Sequence, residues 1–174
     1  MDRIDVTLAS ENRHKLRELR ALLPRWTIEP LRATELPEET GTSFYANARA
    51  KALFARTAGR GDAWTLGEDS GLEVAGLGGR PGIHSARYGG PDAADEENVA
   101  KLLEELHGVE GEGRRARYVC ELVLLSPELE EFRGTGTLEG RIAEFPRGTG
   151  GFGYDPVFVP VGESRAVAEL GDAW

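Results

Sequence analysis

Hydrophobic positions in the first third of the chain switch between the spacing of strands and that of helices. Residues 4–9 are rich in apolar and β-branched side chains, which predicts a strand. The leucines from Leu16 to Leu23 recur at helical spacing and Pro24 ends the pattern, which predicts a helix. A second strand is expected near residues 26–31. The chain therefore begins as a strand–helix–strand unit.

A second helix is expected after a polar loop. Thr42 or Ser43 supplies its capping hydroxyl, and it ends at Ala58 because a glycine follows. Asn47 and Lys51 are four residues apart, so they share one face of this helix.

The spacing of apolar residues changes again in the second half of the chain. A third helix is expected over residues 92–107, with Asp92 as its cap. Apolar runs then predict strands at residues 118–125, 131–144 and 156–160. The second of these is expected to be an antiparallel neighbour of the first or to form a hairpin. We therefore expect an α/β fold with a mixed sheet, formed by residues 1–174 as a single domain.

The composition is that of an ordinary globular domain. Of the 174 residues, 40% are hydrophobic and 29% are charged, and no apolar run reaches the ~20 residues that a membrane span needs. The N-terminus lacks the pattern of a signal peptide. The single cysteine, Cys120, lies among apolar residues and is expected to be a buried structural thiol. These features predict a cytoplasmic protein with no membrane partner.

The net charge narrows the choice of partner. A formal charge of −9 argues against nucleic acid, because proteins that bind it carry basic patches. A small polyanion is compatible with this charge if a metal ion and a few cations reverse the local field. Lysine occurs only at positions 15, 51 and 101, so the place of each lysine is informative.

Two adjacent acids, Glu68 and Asp69, follow an apolar approach and precede Ser70. At the end of a strand, their carboxylates repel each other unless a cation lies between them. Mg²⁺ suits this position, because proteins hold it with one or two carboxylates and the oxygens of a phosphate substrate. A solvated acidic turn is the alternative.

Residues 10–15 form a polar turn between the first strand and the first helix. Ser10, Asn12 and Lys15 offer hydrogen bonds and a positive charge at a helix N-terminus, which suits phosphate. The alternative is that Ser10 or Asn12 caps the helix and that the basic residues are exposed.

Glu39 precedes the helix that carries Lys51. In one interpretation Glu39 completes a metal site with Asp69, and Lys51 faces the phosphate ligand or the acids. In the other, Glu39 is only a favourable charge near a helix N-terminus and Lys51 is solvated.

A glycine-rich segment, residues 148–156, carries Phe152, Tyr154 and Asp155. Its glycines have the spacing of a dinucleotide-binding motif, but that motif needs a strand before it and a helix after it. Residues 157–159 are strand-like instead, so we reject that interpretation. The segment suits a wall for a nucleotide base, and a tight turn with a packed aromatic side chain is the alternative.

Several motifs occur in one order along nearly the whole chain. They are Leu8-Ala-Ser-Glu-Asn12 with Lys15, Glu39-Thr-Gly-Thr-Ser-Phe44 with Asn47 and Lys51, Glu68-Asp-Ser-Gly-Leu72, Gly79-Arg-Pro-Gly-Ile-His-Ser-Ala-Arg-Tyr88, Gly150-Gly-Phe-Gly-Tyr-Asp-Pro156 and Ala168-Glu-Leu170. With these motifs the chain resembles the inosine triphosphate pyrophosphatase family, whose members remove non-standard purine nucleoside triphosphates such as ITP, dITP and XTP.

The resemblance implies an elongated α/β fold of two lobes around a long mixed sheet, with the substrate cleft between the lobes, and a homodimer. It implies hydrolysis of a purine nucleoside triphosphate to the monophosphate and pyrophosphate, with Mg²⁺ as cofactor. By position, the resemblance makes Asp69 the general base. The implied metal-binding residues are Glu39, Glu68 and Asp69. The implied substrate-binding residues are Ser10, Asn12, Lys15, Lys51, Ser70, Phe152, Gly153, Tyr154 and Asp155.

Two departures from the family pattern bear on substrate binding. Glu11 stands where the family commonly has glycine, which puts an acidic side chain beside the phosphates. The family also continues after the position of Leu170 with a lysine and a Ser-His-Arg segment, so we expect this chain to be truncated. The alternative functions are a nucleotide-binding protein without turnover and a related pyrophosphatase for other modified nucleotides.

Overall fold

The computed structural model describes residues 4–10, 12–32, 37–59 and 62–171. Its strands are Ile4–Ala9 (β1), Trp26–Pro30 (β2), Trp64–Val74 (β3), Arg115–Leu125 (β4), Glu131–Ile142 (β5) and Phe158–Pro160 (β6). Its helices are Arg13–Leu22 (α1), Phe44–Ala58 (α2), Asp95–Glu105 (α3) and Val167–Leu170 (α4). The predicted α/β class is confirmed.

The six strands form one mixed sheet in the order β2-β1-β3-β4-β5-β6. β1 is parallel to both β2 and β3, whereas β5 is antiparallel to β6. The chain divides into two compact units, the first comprising Met1–Asp69 with Cys120–Gly136 and the second comprising Ser70–Val119 with Thr137–Trp174. The predicted cleft between lobes stays a prediction. Among the helices of the described ranges, none is long and apolar enough to cross a membrane.

The most consequential difference from the predicted elements is the length of β3. The sequence suggested that this strand ends at the two acids, but it continues to Val74 because Leu72 and Val74 are fully buried and extend its apolar side. Glu68 and Asp69 therefore lie inside a strand, where successive side chains point to opposite faces. Their carboxylates consequently belong to different faces of the sheet.

α3 is shorter than predicted and has a different cap. It begins at Asp95 and its N-cap is Ala94, so the prediction of Asp92 as the cap was wrong. The physical reason is Glu97, whose Oε2 accepts a hydrogen bond of 2.8 Å from the Ala94 N–H. This glutamate reaches back to the start of the helix, and no capping hydroxyl or carboxylate is needed at Ala94.

In the first unit, α1 and α2 cover opposite faces of the sheet, and two successive residues of β4 show this. Leu122 packs in the apolar cluster that contains Leu19 of α1. The next residue, Val123, packs in the cluster that contains Ala48 and Ala52 of α2. Because successive strand residues point to opposite faces, α1 and α2 lie on opposite sides of the sheet in this unit.

Gly67 of β3 allows α2 to approach the sheet closely. A β-carbon at this position would lie 1.9 Å from the carbonyl oxygen of Ala48 and 2.5 Å from the backbone nitrogen of Ala52. Any side chain here would force the helix away from the strand that carries Asp69.

We expect Gly67→Ala to lower the free energy of unfolding by about 1–3 kcal/mol or more, because the added carbon meets backbone atoms that cannot rotate aside. At roughly 2–4 °C per kcal/mol for a chain of this size, the melting temperature falls by several degrees. Thermal unfolding followed by circular dichroism measures the change. Gly136→Ala in β5 is the control, because no atom lies within 4 Å of its added carbon; equal losses in the two variants would contradict the close contact.

The second unit has an apolar core of its own. Leu72 of β3, Leu102 of α3, Tyr154 and Phe158 are all buried in one cluster. Because Tyr154 belongs to the glycine-rich segment, this core fixes part of that segment in place.

Candidate active site

Asp69 lies on the face of the sheet that α2 covers. The Nζ of Lys51 is 3.0 Å from the Oδ1 of Asp69 and 2.5 Å from the Oε1 of Glu39. Asp69 is 4% exposed and Lys51 is 8% exposed, so this charge pair is largely shielded from water. Two acids from distant parts of the chain thus share one buried ammonium group.

The sequence of α2 explains how Lys51 reaches this position. Of the two candidate hydroxyls, Ser43 is the cap, and its Oγ accepts a hydrogen bond of 3.1 Å from the Ala46 N–H. From this start, Phe44 and Ala48 turn towards the core. Lys51 follows Ala48 at a spacing of three residues and is therefore buried on the same side of the helix.

Burial and charge oppose each other at Lys51. Burial lowers its pKa, but the carboxylates of Asp69 and Glu39 outweigh that effect, so the pKa lies above its ordinary value. Lys51 therefore stays protonated and keeps its positive charge at neutral pH.

At Asp69 the effect of burial on the pKa is larger than the opposing effect of the neighbouring donors. Burial raises the pKa of Asp69, and the Lys51 ammonium and the Asn47 amide offset only part of this effect. An ion pair with Lys51 alone would lower the pKa, so the loss of water is the stronger influence on this carboxyl. A carboxylate with a raised pKa is a better proton acceptor near neutral pH.

Glu68 lies on the opposite face, where α1 packs. Its Oε2 is 2.6 Å from the Nζ of Lys15, and its Oε1 accepts a weak hydrogen bond of 3.7 Å from the Cys120 thiol. The Lys15 ammonium is therefore the charged partner of this buried oxygen.

Cys120 was predicted to be a buried structural thiol, and it is only half-buried. Burial and the neighbouring Glu68 raise the pKa of Cys120 to about 12. The thiol therefore stays neutral and acts as a donor to Glu68 rather than as a nucleophile.

The three predicted metal-binding acids do not form one group. Glu39 and Asp69 meet at Lys51, whereas Glu68 meets Lys15. Within the described part of the chain, no three acidic, histidine or cysteine side chains converge as a metal cage. Glu39 and Asp69 are carboxylates that one cation, the Lys51 ammonium, already joins, and carboxylate oxygens are also the ligands that magnesium commonly takes.

In the turn before α1, Asn12 is the helix cap, while Lys15 is half-buried and paired with Glu68 rather than exposed. The Oδ1 of Asn12 accepts hydrogen bonds from the N–H groups of His14 and Lys15 at 2.9 and 3.3 Å. The Oγ of Ser10 accepts one of 3.1 Å from the Asn12 N–H. Ser10 and Asn12 also line a cavity of about 470 Å³. Glu11, the departure noted in this turn, lies outside the described residues.

Tyr154, predicted to contact substrate, is 4% exposed and belongs to the core of the second unit. Its hydroxyl donates a hydrogen bond of 2.8 Å to the carbonyl oxygen of Ser85. The Oγ of Ser85 in turn accepts one of 2.8 Å from the Leu72 N–H at the end of β3. Tyr154 is thus a packed aromatic side chain, and no role was predicted for its partner Ser85.

Asp155 holds the glycine-rich segment together. Its Oδ2 accepts a hydrogen bond of 2.9 Å from the Phe152 N–H, and its Oδ1 accepts one of 3.1 Å from the Tyr118 hydroxyl. Burial raises the pKa of Asp155 despite these two bonds. Phe152 and Gly153 are half-buried, and the Gly153 N–H donates to Asp95 at 2.6 Å.

Ala168 of α4 is bonded through its backbone to the glycine-rich segment. The Ala168 carbonyl oxygen accepts a hydrogen bond from the Gly150 N–H, and the Ala168 N–H donates to the Asp155 carbonyl oxygen, both at 3.1 Å. A β-carbon on Gly148 would lie 2.4 Å from the Ala168 carbonyl carbon. The short helix therefore packs directly against the glycine-rich segment.

The remaining substrate candidate, Ser70, is half-buried and follows Asp69 directly on β3. The sequence placed Asn47 on the same helical face as Lys51 but gave it no role. Asn47 is 1% exposed, and its Nδ2 donates a hydrogen bond of 3.0 Å to the Oδ2 of Asp69. The sequence feature that could have identified Asn47 is its spacing of four residues from Lys51.

Comparison with known proteins decides the family. The model of the Ham1 family matches residues 6–174. The chain belongs to the Ham1 family. A relative from Bdellovibrio bacteriovorus, named dITP/XTP pyrophosphatase, is 42% identical over 180 residues, which cover 98% of this chain and 88% of the relative. The family predicted from the motifs is confirmed, as is the predicted enzyme class, a hydrolase that acts on acid anhydrides.

Solved structures of the family share the fold. A HAM1 protein from Coxiella burnetii has a TM-score of 0.87 and 36% identity, with 98% of this chain and 88% of that chain covered. A nucleoside-triphosphatase / dITP/XTP pyrophosphatase from Mycobacterium abscessus has a TM-score of 0.81 and 37% identity, with 98% and 90% covered. The identities are high enough for the family likeness to extend beyond the fold.

Proposed function

We propose that this Ham1 protein hydrolyses non-standard purine nucleoside triphosphates, among them ITP, dITP and XTP, to the monophosphate and pyrophosphate. The observation that carries the proposal is the buried Asp69, which faces Lys51 and has a raised pKa. The names of the relatives from Bdellovibrio and Mycobacterium support the choice of substrate. Removal of such nucleotides from the cellular pool follows as the biological role.

In the proposed reaction Asp69 takes a proton from a water molecule, and the resulting hydroxide attacks the phosphorus of the α-phosphate. The bond from this phosphorus to the bridging oxygen breaks, and pyrophosphate leaves with the bond electrons. General base catalysis of this kind contributes about 10²–10⁴-fold to a rate. The burial that raises the pKa of Asp69 makes this carboxylate suited to the step.

Lys51 and Lys15 are the proposed cations for the phosphate groups. Each is paired with an acid before substrate arrives, Lys51 with Asp69 and Glu39 and Lys15 with Glu68. The pairing keeps each ammonium in a fixed place, so little reorganisation is needed when negative charge develops on the leaving group. Ser10, Asn12 and Ser70 are the proposed hydrogen-bonding residues for the phosphates.

Magnesium is proposed as the cofactor, with Glu39 and Asp69 as its protein ligands. When bound, it supplies positive charge that neutralises the phosphate oxygens and stabilises the leaving group. Glu68 was also predicted to be a ligand, but its Oε2 lies 2.6 Å from the Lys15 ammonium, which is its cation in this structure.

For the base, we propose contacts from Phe152, Gly153 and Asp155. Tyr154 supports them indirectly, because its buried ring anchors the segment. A site that donates a hydrogen bond to a 6-keto oxygen rejects adenine, since a donor that faces an amino group stays unpaired. Such sites discriminate by up to ~10⁴–10⁵-fold. A homodimer and a cytoplasmic location complete the proposal.

The test is pyrophosphate release from dITP and XTP, compared with dATP, in the presence of MgCl2 or of EDTA. We expect kcat/KM to be at least about 10²-fold higher for dITP and XTP than for dATP, and turnover to stop in EDTA. Binding without release would indicate the nucleotide-binding alternative. Release only from pyrimidine or other modified nucleotides would indicate the related pyrophosphatase.

A further inference from the structure

Asn47 is a fully buried polar residue that bridges two parts of the candidate active site. Its Nδ2 donates a hydrogen bond of 3.0 Å to the Oδ2 of Asp69. Its Oδ1 accepts one of 2.8 Å from the N–H of Gly41, in the segment that follows Glu39. Only 1% of the residue is exposed, so water cannot replace either partner.

The two bonds have opposite polarity, which fixes the orientation of the amide. The N–H of Gly41 can only donate, and the carboxylate of Asp69 can only accept when it is ionised. Rotating the amide by 180° would place the oxygen against the carboxylate and the amino group against the N–H. Both contacts would then be repulsive, so one rotamer is selected.

The first bond holds one of the two carboxylate oxygens of Asp69. Asn47 binds Oδ2, while Lys51 binds Oδ1 at 3.0 Å. With both oxygens held from α2, the plane of the carboxylate cannot rotate freely. The second bond ties the segment after Glu39 to the same helix, and the Glu39 carboxylate lies 2.5 Å from Lys51. One amide thus orients one acid and anchors the segment that presents the other.

The space around Gly41 supports the second part of this arrangement. A β-carbon on Gly41 would lie 2.4 Å from the Oδ1 of Asn47 and 2.9 Å from the β-carbon of Ala46. The segment therefore approaches the helix more closely than a residue with a side chain would allow.

We propose that Asn47 is a positioning residue for the reaction, which sets the orientation of the Asp69 carboxylate and holds the segment that carries Glu39. The inference rests on the proposed function, because it assigns Asp69 the role of base. A displacement of a reacting group by about 1 Å is enough to lower a rate by about 10²-fold. Loss of the Asn47 amide is therefore expected to act on kcat rather than on substrate affinity.

Two substitutions distinguish the effects of the two hydrogen bonds of Asn47. Asn47→Leu has the same number and branching of side-chain heavy atoms and removes both bonds. Asn47→Asp keeps the oxygen that accepts from the Gly41 N–H and, when ionised, loses the donor to Asp69. We expect kcat to fall by about 10²-fold in both variants, with KM within about threefold of the wild-type value.

Hydrogen exchange of the Gly41 amide provides a readout that does not depend on activity. Measured by NMR, this amide is expected to exchange slowly in the wild-type protein and in Asn47→Asp, and at least about tenfold faster in Asn47→Leu, because only the leucine variant lacks an acceptor. Equal exchange in all three proteins would overturn the anchoring of the Glu39 segment.

The chain offers a matched control in Asn98 of α3. This residue is 2% exposed, its Oδ1 accepts from the Gly89 N–H at 2.6 Å, and its Nδ2 donates to the carbonyl oxygen of Ala86 at 3.3 Å. Asn98→Asp therefore makes the same chemical change in a buried amide whose partners are backbone groups. We expect it to lower the melting temperature without a change in kcat beyond about threefold.

The outcomes distinguish this inference from the proposed function. If the wild-type protein releases no pyrophosphate from dITP or XTP, the proposed function fails. If the wild-type protein is active and Asn47→Asp, corrected for its folded fraction, keeps kcat within about threefold, the positioning role is overturned. An equal loss of kcat in Asn98→Asp would overturn it too, since the loss would then come from burying a carboxylate. Should Asn47→Leu fail to fold, the comparison of the two aspartate variants still decides.

Discussion

Replacing Asp69 by Asn is expected to lower kcat by about 10²–10⁴-fold while the protein stays folded. The amide has the shape of the carboxylate but cannot accept a proton from water at neutral pH. We expect the free energy of unfolding to stay close to the wild-type value because of the direction in which the pKa of Asp69 is shifted. Burial raises the pKa of Asp69 in the folded protein, so ionised Asp69 opposes folding at pH 7, and the neutral amide removes that cost while Glu39 still pairs with the Lys51 ammonium.

Glu121→Gln is the matched control for Asp69→Asn. Glu121 is also a buried acid of the first unit, 5% exposed, and its carboxylate is paired with Arg133 at 2.8 Å. Hydrogen bonds from Arg133 lower the pKa of Glu121, so its substitution is expected to reduce stability and to leave kcat unchanged. Steady-state pyrophosphate release and thermal unfolding measure both effects. Near-normal turnover by Asp69→Asn would exclude this residue as the base.

Replacing Lys51 by Met is expected to damage both stability and activity. It leaves Asp69 and Glu39 without the cation that they share, in a place where water cannot fully compensate. Removing one partner of a buried pair costs about 3–5 kcal/mol, which corresponds to roughly 6–20 °C in melting temperature for a chain of this size. Loss of a cation that stabilises the phosphates is expected to lower kcat/KM by about 10²–10³-fold as well.

Added MgCl2 makes this experiment more specific. If Glu39 and Asp69 bind the metal, the ion can replace the missing ammonium between them. We therefore expect MgCl2 to raise the melting temperature of Lys51→Met by more than that of the wild-type protein. Equal shifts in the two proteins would argue against these two acids as metal ligands.

Lys101→Met is the control for the loss of a lysine from a helix. The Nζ of Lys101 donates to the carbonyl oxygen of Tyr88 at 2.6 Å and lies 4.7 Å from the centre of its ring. These contacts of Lys101 are with Tyr88 and not with a buried acid, so Lys101→Met leaves no buried pair of carboxylates without a cation. A small loss of stability with normal turnover is expected, and a loss of activity as large as that of Lys51→Met would mean that the effect is not specific to the acids.

Much of the fold could be predicted because its signals are local. The helical spacing from Leu16 to Leu23 and the capping hydroxyl at Ser43 lie within one or two turns of the residues that they order, and both predicted helices formed. The end of β3 was misjudged because Glu68 and Asp69 read as polar residues that terminate a strand. Burial inside the tertiary structure, with Lys15 and Lys51 as partners, is what makes two acids acceptable there.

The candidate site, too, was predicted only in part from the sequence. One interpretation of the sequence placed Lys51 beside Glu39 and Asp69, and the structure brings all three together. The sequence also indicated Tyr154, but the ring of this residue is buried and its hydroxyl is bound to Ser85. Residue type alone could not separate a base-stacking aromatic from a packed one, because both need a planar apolar ring beside a glycine turn.

By itself the sequence determined the family, the α/β class and the types of residue that the chemistry needs. The tertiary structure decided which carboxylate meets which lysine. In β3, alternation of side chains sends Asp69 towards Lys51 and Glu68 towards Lys15. It also decided that Asn47, 22 residues before Asp69, holds that carboxylate. Spacing along the chain reports local periodicity, whereas a hydrogen bond between a helix and a strand depends on how the two pack.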